Sequence, residues 1–307
     1  MLATVKSMAL NGLDGYLVDV QVDVSGGLPG WEIVGLPDIS VKEAKERVKA
    51  AIRNSGEEFP SRRIVVNLAP ASTRKEGTLF DLSIAVGLLV ATERIKNEKI
   101  DDTMFIGELF LDGTISKVSG ILPMCIEAYK LGMKRVILPV ENAKEAAVVN
   151  GLEIIPVVNL KQVIRYLNKE EDIEKVVVDI DELFSQSRNY KMDFSEVKGQ
   201  ENIKRALEIA AAGAHNCLLI RKSTDRGKTM LSRRIPSILP DLSFEEALEI
   251  TKIHSVAGKL DKDSFLITSR PFRSPHHTVS GVSLIGGGRI PKPRRNKSKS
   301  LRSAIFR

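Results

Sequence analysis

The chain has 307 residues, 43% of them hydrophobic, which predicts about two domains, each able to bury a core. No apolar run approaches the roughly 20 residues that span a bilayer, so we expect no membrane partner. The net charge of +7 does not by itself indicate a DNA-binding surface. Six Lys and Arg residues lie in residues 294–307, and without them the charge falls to +1.

The cysteine content and the N-terminus both favour a cytoplasmic protein. Cys125 and Cys217 lie in apolar stretches predicted as helix and strand, and two cysteines are too few for a disulfide framework. The first residues lack the basic segment followed by an apolar block that marks a secretory signal.

Residues 1–168 are predicted to form one α/β domain. Val18–Val24 alternates like a half-buried strand, and residues 78–92 are apolar nearly all round, like a buried helix. The helix predicted over 40–54 begins with an S-x-x-E capping box formed by Ser40 and Glu43. The other predicted elements are strands 64–68, 104–106, 135–138 and 153–157, and helices 120–131, 142–149 and 160–168. Helices that alternate with strands exclude an all-β fold.

The second half of the chain contains fewer strand signals. Residues 169–192 are mixed and acidic without a clear period, which predicts an interdomain linker. A second domain over 193–293 has one predicted strand, Asn216–Ile220, and predicted helices over 200–212, 228–235 and 243–253, the last capped by Ser243. One strand with a few helices cannot complete a doubly wound sheet. The predicted class is therefore α/β (α+β), with an incomplete second domain.

A phosphate-binding signature occurs where the predicted strand meets the next helix. Gly227, Lys228 and Thr229 match the end of the pattern G-x-x-x-x-G-K-[ST], in which Lys pairs with phosphate oxygens and the hydroxyl holds Mg²⁺. The position of the first glycine is occupied by Lys222, and residues 221–226 contain no glycine. The sequence thus predicts an ATPase outline with a degenerate loop.

Several longer motifs resemble the ComM/YifB-type, Mg-chelatase-like branch of the AAA+ ATPases. The resemblance covers residues 1–293. It is carried by G-W-E-I-V-G-L-P-D at 30–38, N-L-A-P-A at 67–71, K-E-G at 75–77 with F-D-L at 80–82, V-K-G-Q at 197–200, I-H-S-V-A-G at 253–258 and R-P-F-R-S-P-H-H-T at 270–278.

For residues 1–168 the resemblance implies a Lon-protease-like domain, with the ribosomal S5 domain 2-like fold. Lon uses a Ser/Lys dyad, but here Leu79 or a neighbour stands at the position of the serine and about Leu122 at that of the lysine. Neither side chain can act as a nucleophile or a base. We therefore expect a structural or interaction domain, with no catalytic residue.

For residues 193–293 the resemblance implies a partial AAA+ domain that takes ATP and Mg²⁺. Lys228 would pair with the phosphates, and Gly227 and Thr229 would complete the phosphate site, with Thr229 holding Mg²⁺ through the nucleotide. The residues near the adenine would be Val197, Gly199 and Gln200. The family also implies a hexamer and DNA as a partner, in branch migration and recombination during natural transformation (competence).

Residues 294–307 depart from the family, which continues close to G-E-I-S-L-A-H-N-G-V-L-F-L-D-E. Codons for these residues can be chosen so that the same DNA, read one base later, encodes G-E-I-S-L-S-H-Y-G-V-L-F-L. We therefore expect a single-base frameshift after Pro293 and an out-of-frame basic tail. Walker B lies downstream in the family, so we expect no ATP turnover by this chain. The alternative hypothesis is a non-catalytic N-terminal interaction module with a remnant ATPase domain.

Overall fold

The computed structural model describes residues 1–95, 100–186, 192–220, 227–260 and 265–272. These residues fall into two units, of which the first covers Met1–Val178 and the second begins at Asp179. No helix within these ranges is long and apolar enough to cross a membrane. The predicted α/β class is confirmed by a first unit that mixes nine strands with six helices.

A seven-stranded sheet forms the centre of the first unit, with β1 and β2 paired antiparallel over ten positions. Its strand order is β3-β4-β2-β1-β5-β8-β9, and β1, β5, β8 and β9 run parallel. The strands are β1 (Leu2–Asn11), β2 (Asp14–Ser25), β3 (Gly30–Val34), β4 (Arg63–Ala69), β5 (Thr103–Phe105), β8 (Arg135–Pro139) and β9 (Glu153–Val157), with a separate pair, β6 (Glu108–Leu109) and β7 (Ile115–Ser116). The helices are α1 (Ile39–Lys42), α2 (Ala44–Asn54), α3 (Asp81–Ala91), α4 (Ile121–Lys130), α5 (Ala143–Ala146) and α6 (Leu160–Leu167).

Both faces of this sheet carry a hydrophobic core, because neighbouring residues of a strand point to opposite faces. On β2, Val18 and Val20 belong to the core that includes α2 and α3, whereas Leu17 packs against the core of α4 and α5. On β8, Ile137 joins the first core and Val136 the second. The alternation predicted for Val18–Val24 is therefore confirmed.

Helix α3 is buried nearly all round, as predicted for 78–92, with ten of its eleven residues buried. Gly87 faces the sheet, where an added Cβ would lie 2.7 Å from Cγ2 of Val22. The glycine lets the helix lie directly on β2, which closes the first core.

The predicted helix over 40–54 is divided in two, and its predicted capping box is wrong. Residues 39–42 form α1, and α2 begins at Ala44 after Glu43. Asp38 is the N-cap, because its backbone is extended and its carboxylate accepts from the amide of Val41 at 2.8 Å. Ser40 lies inside the helix that it was predicted to cap.

An ion pair joins α2 to the start of α3. The Arg47 guanidinium donates to both carboxylate oxygens of Asp81, at 2.6 and 3.0 Å, and Asp81 is 1% exposed. The amide of Leu109 donates to the same carboxylate at 3.3 Å, so Asp81 also connects α3 to β6. Burial raises the pKa of Asp81 to about 6, against the opposing effect of the Arg47 charge.

We expect Arg47→Met to lower the free energy of unfolding at pH 7.5 by about 3–5 kcal/mol, because it leaves a buried carboxylate without its counter-ion. Lys134→Met is the matched control, since Lys134 and Asp102 lie 2.6 Å apart but both are exposed, and such pairs contribute about 0–1 kcal/mol. Urea unfolding measures both. If both variants lose the same free energy of unfolding, the buried pair stabilises the fold no more than the exposed pair does.

The raised pKa of Asp81 also predicts how stability depends on pH. The folded chain binds the Asp81 proton more tightly than the unfolded chain, whose pKa is 3.8, so this group stabilises the fold below pH 4. The contribution is lost as the pH rises through about 6. A carbon NMR titration of the Asp81 carboxyl should give a midpoint near 6, and a midpoint near 4 would show that Arg47 outweighs burial.

The second unit contains only helices and turns among its described residues. The helices are α7 (Ile180–Gln186), α8 (Glu201–Gly213), α9 (Gly227–Arg234) and α10 (Phe244–Val256), with 3-10 turns at Phe194–Glu196 and Ile235–Ile238. Within the segment predicted as a linker, Ile173, Val176 and Val178 pack against the cores of the first unit.

The strand predicted for Asn216–Ile220 is wrong. These residues have no regular secondary structure, and Leu218 and Ile220 are 82% and 83% exposed. A strand exists only where a neighbour accepts and donates its backbone hydrogen bonds. The described residues of the second unit contain no other strand, so this apolar segment has no partner there.

Candidate nucleotide site

The residues predicted to bind phosphate form the first turn of α9. Gly227 and Lys228 are half-buried, and Thr229 is exposed. We call Gly227–Thr229 the phosphate-side turn. The first amides of a helix have no partner within it, and the helix dipole favours an anion at this end. Residues 221–226, which include Lys222 and Asp225, lie outside the described part of the chain.

The residues predicted to lie near adenine precede α8, and we call 197–200 the base-side segment. Val197 is 1% exposed and anchors it. Gly199 and Gln200 both have a positive φ, of 70° and 59°, and Gln200 is the N-cap of α8. A Cβ at Gly199 would meet nothing within 4 Å, so the backbone here is open to an approaching ligand.

One small hydrophobic cluster brings the two predicted parts of the site together. Val197 shares it with Leu231 of α9 and Leu207 of α8, and Phe194 and Ile235 complete its buried members. The base-side segment and the helix of the phosphate-side turn therefore rest on the same core.

Polar contacts from the end of α9 reinforce this cluster. Arg234 donates to Glu196 at 2.6 Å and to the carbonyl of Asp193 at 3.1 Å. Ser237 accepts from the amide of Phe194 at 3.0 Å and donates to the carbonyl of Arg234 at 2.8 Å. No sequence pattern marks these residues, because a contact between residues 38 apart in the chain leaves no periodic pattern.

The start of the R-P-F-R-S-P-H-H-T motif is anchored to α10. Arg270, 4% exposed, donates to Glu246 at 2.8 Å and to the carbonyl of Pro240 at 2.7 Å. Glu246 also forms a capping box with Ser243, so the predicted cap of this helix is confirmed. The motif from residue 273 onward lies outside the described residues.

Leu79 and Leu122, which stand at or near the positions that the resemblance assigns to the Lon dyad, are core residues. Leu79 packs against both cores of the first unit, and Leu122 is fully buried. Glu145, 5% exposed, accepts from the amide of Leu122 at 3.1 Å, so this carboxylate holds the start of α4.

Lys75 of the K-E-G motif is also used for structure. It is fully buried, and its ammonium donates to the carbonyls of Pro70 and Thr73, the latter at 2.9 Å. Burial lowers the pKa of Lys75. The side chain therefore holds its own loop, residues 70–75, in place.

The donor chemistry of the phosphate-side turn suits Mg²⁺-ATP. An ammonium, a hydroxyl and helix amides are the groups that bind a triphosphate and its metal, and Thr229 is an exposed residue. Among the described residues there is no cluster of three His, Cys, Asp or Glu side chains that could hold a metal by itself.

Two family profiles match the chain: subunit ChlI of Mg-chelatase over residues 20–142, and magnesium chelatase, subunit ChlI, over residues 193–300. The uncharacterized protein YifB of Escherichia coli is 42% identical over 294 residues, which cover 95% of this chain and 56% of YifB. Competence protein ComM of Haemophilus influenzae is 39% identical over 294 residues, or 95% of this chain and 57% of ComM.

The chain thus spans about half the length of these relatives. A Lon protease of Rhizobium meliloti is 29% identical over 184 residues, which cover 55% of this chain and 23% of the protease. The α/β first unit and this similarity agree with the predicted Lon-like domain, which precedes a P-loop-type region. With both profiles and both relatives in agreement, the chain belongs to the magnesium-chelatase-like ATPase family that contains YifB and ComM.

Proposed function

We propose that the second unit binds Mg²⁺-ATP between the base-side segment and the phosphate-side turn. Lys228 would neutralise phosphate charge, Thr229 would hold Mg²⁺, and the backbone around Gly199 and Gln200 would face the adenine, with Val197 beneath it. The observation that carries the proposal is the shared cluster of Val197, Leu207 and Leu231, which supports both parts on one core.

For the whole protein we propose an ATP-driven hexamer in the cytoplasm that moves branched DNA during recombination and natural transformation. The support is the resemblance of the motifs and the similarity to a protein named competence protein ComM. Hydrolysis requires an acid that holds Mg²⁺ and orients water, together with an arginine from a neighbouring subunit. In this family those groups lie beyond the part of the sequence that resembles it here, residues 1–293.

We propose that the second unit of this chain binds ATP weakly. In the sequence pattern, Lys222 stands at the position of the first glycine, which lets a phosphate loop turn closely, and Asp225 adds a negative charge to the loop sequence. Both changes oppose the attraction that Lys228 provides.

Replacing residues 221–226 with the family-like G-S-P-G-S should raise ATP affinity by about tenfold or more, because it removes both obstacles. The added change Lys228→Ala should abolish that gain, since it removes the phosphate-binding cation. Isothermal titration with Mg²⁺-ATP measures both effects. If the replaced loop binds no better than the native loop, the degenerate loop is not what limits binding.

A second candidate function is a non-catalytic interaction module formed by the first unit. It is favoured by the two complete cores around the sheet and by leucine at both dyad positions. Such a module would bind partner subunits or DNA without chemistry.

Limited proteolysis separates the two candidates. If ATP binds, Mg²⁺-ATP should slow cleavage within residues 193–272 while leaving cleavage of the first unit unchanged, because bound ligand suppresses local opening. Rapid loss of everything after about residue 170, with or without ATP, would instead favour the interaction module.

A further inference from the structure

The side chain of Arg234 makes more contacts than a surface ion pair needs. It is 19% exposed and lies at the end of α9. Two of its nitrogens donate to Glu196, at 2.6 and 3.1 Å, and it also donates to the carbonyls of Asp193 and Met230, at 3.1 and 3.3 Å. The guanidinium thus joins its own helix to the turn that precedes the base-side segment.

These contacts connect helix α9 to the turn before the base-side segment, although the two are far apart in the sequence. Glu196 is followed directly by Val197, and Lys228 lies on the same helix as Arg234, about 9 Å away along the axis. Ser237 adds a second connection through the amide of Phe194. Any displacement of α9 is therefore transmitted to residues 194–197.

We propose that Arg234 is a positioning residue that sets the separation between the base-side segment and the phosphate-side turn, and so selects a nucleoside triphosphate over bare polyphosphate. The inference rests on the proposed ATP site. Without the guanidinium, the turn before the base-side segment keeps only the hydrogen bond of Phe194 to Ser237 and loses its direct ion pair with α9, while Lys228 and Thr229 keep their places in the first turn.

The consequence differs for ligands with and without a base. Binding of ATP uses both parts and depends on their spacing, because a displaced contact loses its hydrogen-bond geometry. Inorganic tripolyphosphate uses the phosphate-side turn alone. A change at Arg234 should therefore weaken the binding of ATP and leave the binding of tripolyphosphate unchanged.

The test compares ATP with tripolyphosphate, each with Mg²⁺, by isothermal titration of the full chain that carries the G-S-P-G-S loop. Arg234→Met should weaken ATP by about tenfold and change tripolyphosphate by less than about twofold. Arg205→Met is the matched control, because Arg205 pairs with Glu208 at 3.1 Å on α8 but is exposed, and it should alter neither ligand.

A charge-swapped pair, Glu196→Arg with Arg234→Glu, should recover part of the lost ATP affinity if the ion pair does the positioning. Equal losses of both ligands in Arg234→Met, or unchanged ATP binding, would overturn the proposal. If the full chain with the G-S-P-G-S loop and an unchanged Arg234 binds neither ligand, the proposed ATP site itself is wrong.

Hydrogen exchange gives a readout that needs no nucleotide. Amides of residues 194–200 should exchange faster in Arg234→Met, and those of α10 should not, because only the first group is held by Arg234. Unchanged exchange at 194–200 would overturn the connection even where the ATP site is real.

Discussion

The need of every buried backbone group for a hydrogen-bond partner decides which apolar segments of this chain become strands. The ten paired positions of β1 and β2, with β4 on the other side of β2 and β5 on the other side of β1, pair these backbones and create a support that carries a core on each face. The same requirement explains why Asn216–Ile220, which has strand-like residues but no neighbouring strand among the residues that the structure describes, is irregular and exposed there. Apolar composition is therefore necessary for a strand but does not suffice.

Sequence patterns predicted the elements whose environment is local. Strand β2, helix α3 and the cap of α10 were predicted because alternation, all-round apolarity and a serine just before the helix each reflect neighbouring residues. The S-x-x-E motif at Ser40 led to a wrong prediction. Asp38 has an extended backbone and a carboxylate that accepts a hydrogen bond from the first turn, so Asp38 is the N-cap. Competition between two adequate caps is a matter of geometry, which residue types alone do not specify.

The candidate site shows the same division. The sequence motif identified Lys228 and Thr229, since a phosphate loop is a contiguous signature. The link through Arg234 and Glu196, and the burial of Asp81 beside Arg47, join residues far apart in sequence. Such pairs depend on where the backbone brings two segments together, so they became visible only in three dimensions. The family resemblance supplied roles for single positions but not the contacts among them.

The exposed leucine and isoleucine at 218 and 220 have a consequence for the lifetime of the protein in a cell. A short apolar segment that pairs with no strand in the described part of the chain is the kind of surface to which other unpaired strands attach, and to which chaperones and degradative proteases respond. Quality control would therefore act first on the second unit, because the first unit buries its apolar residues in two cores.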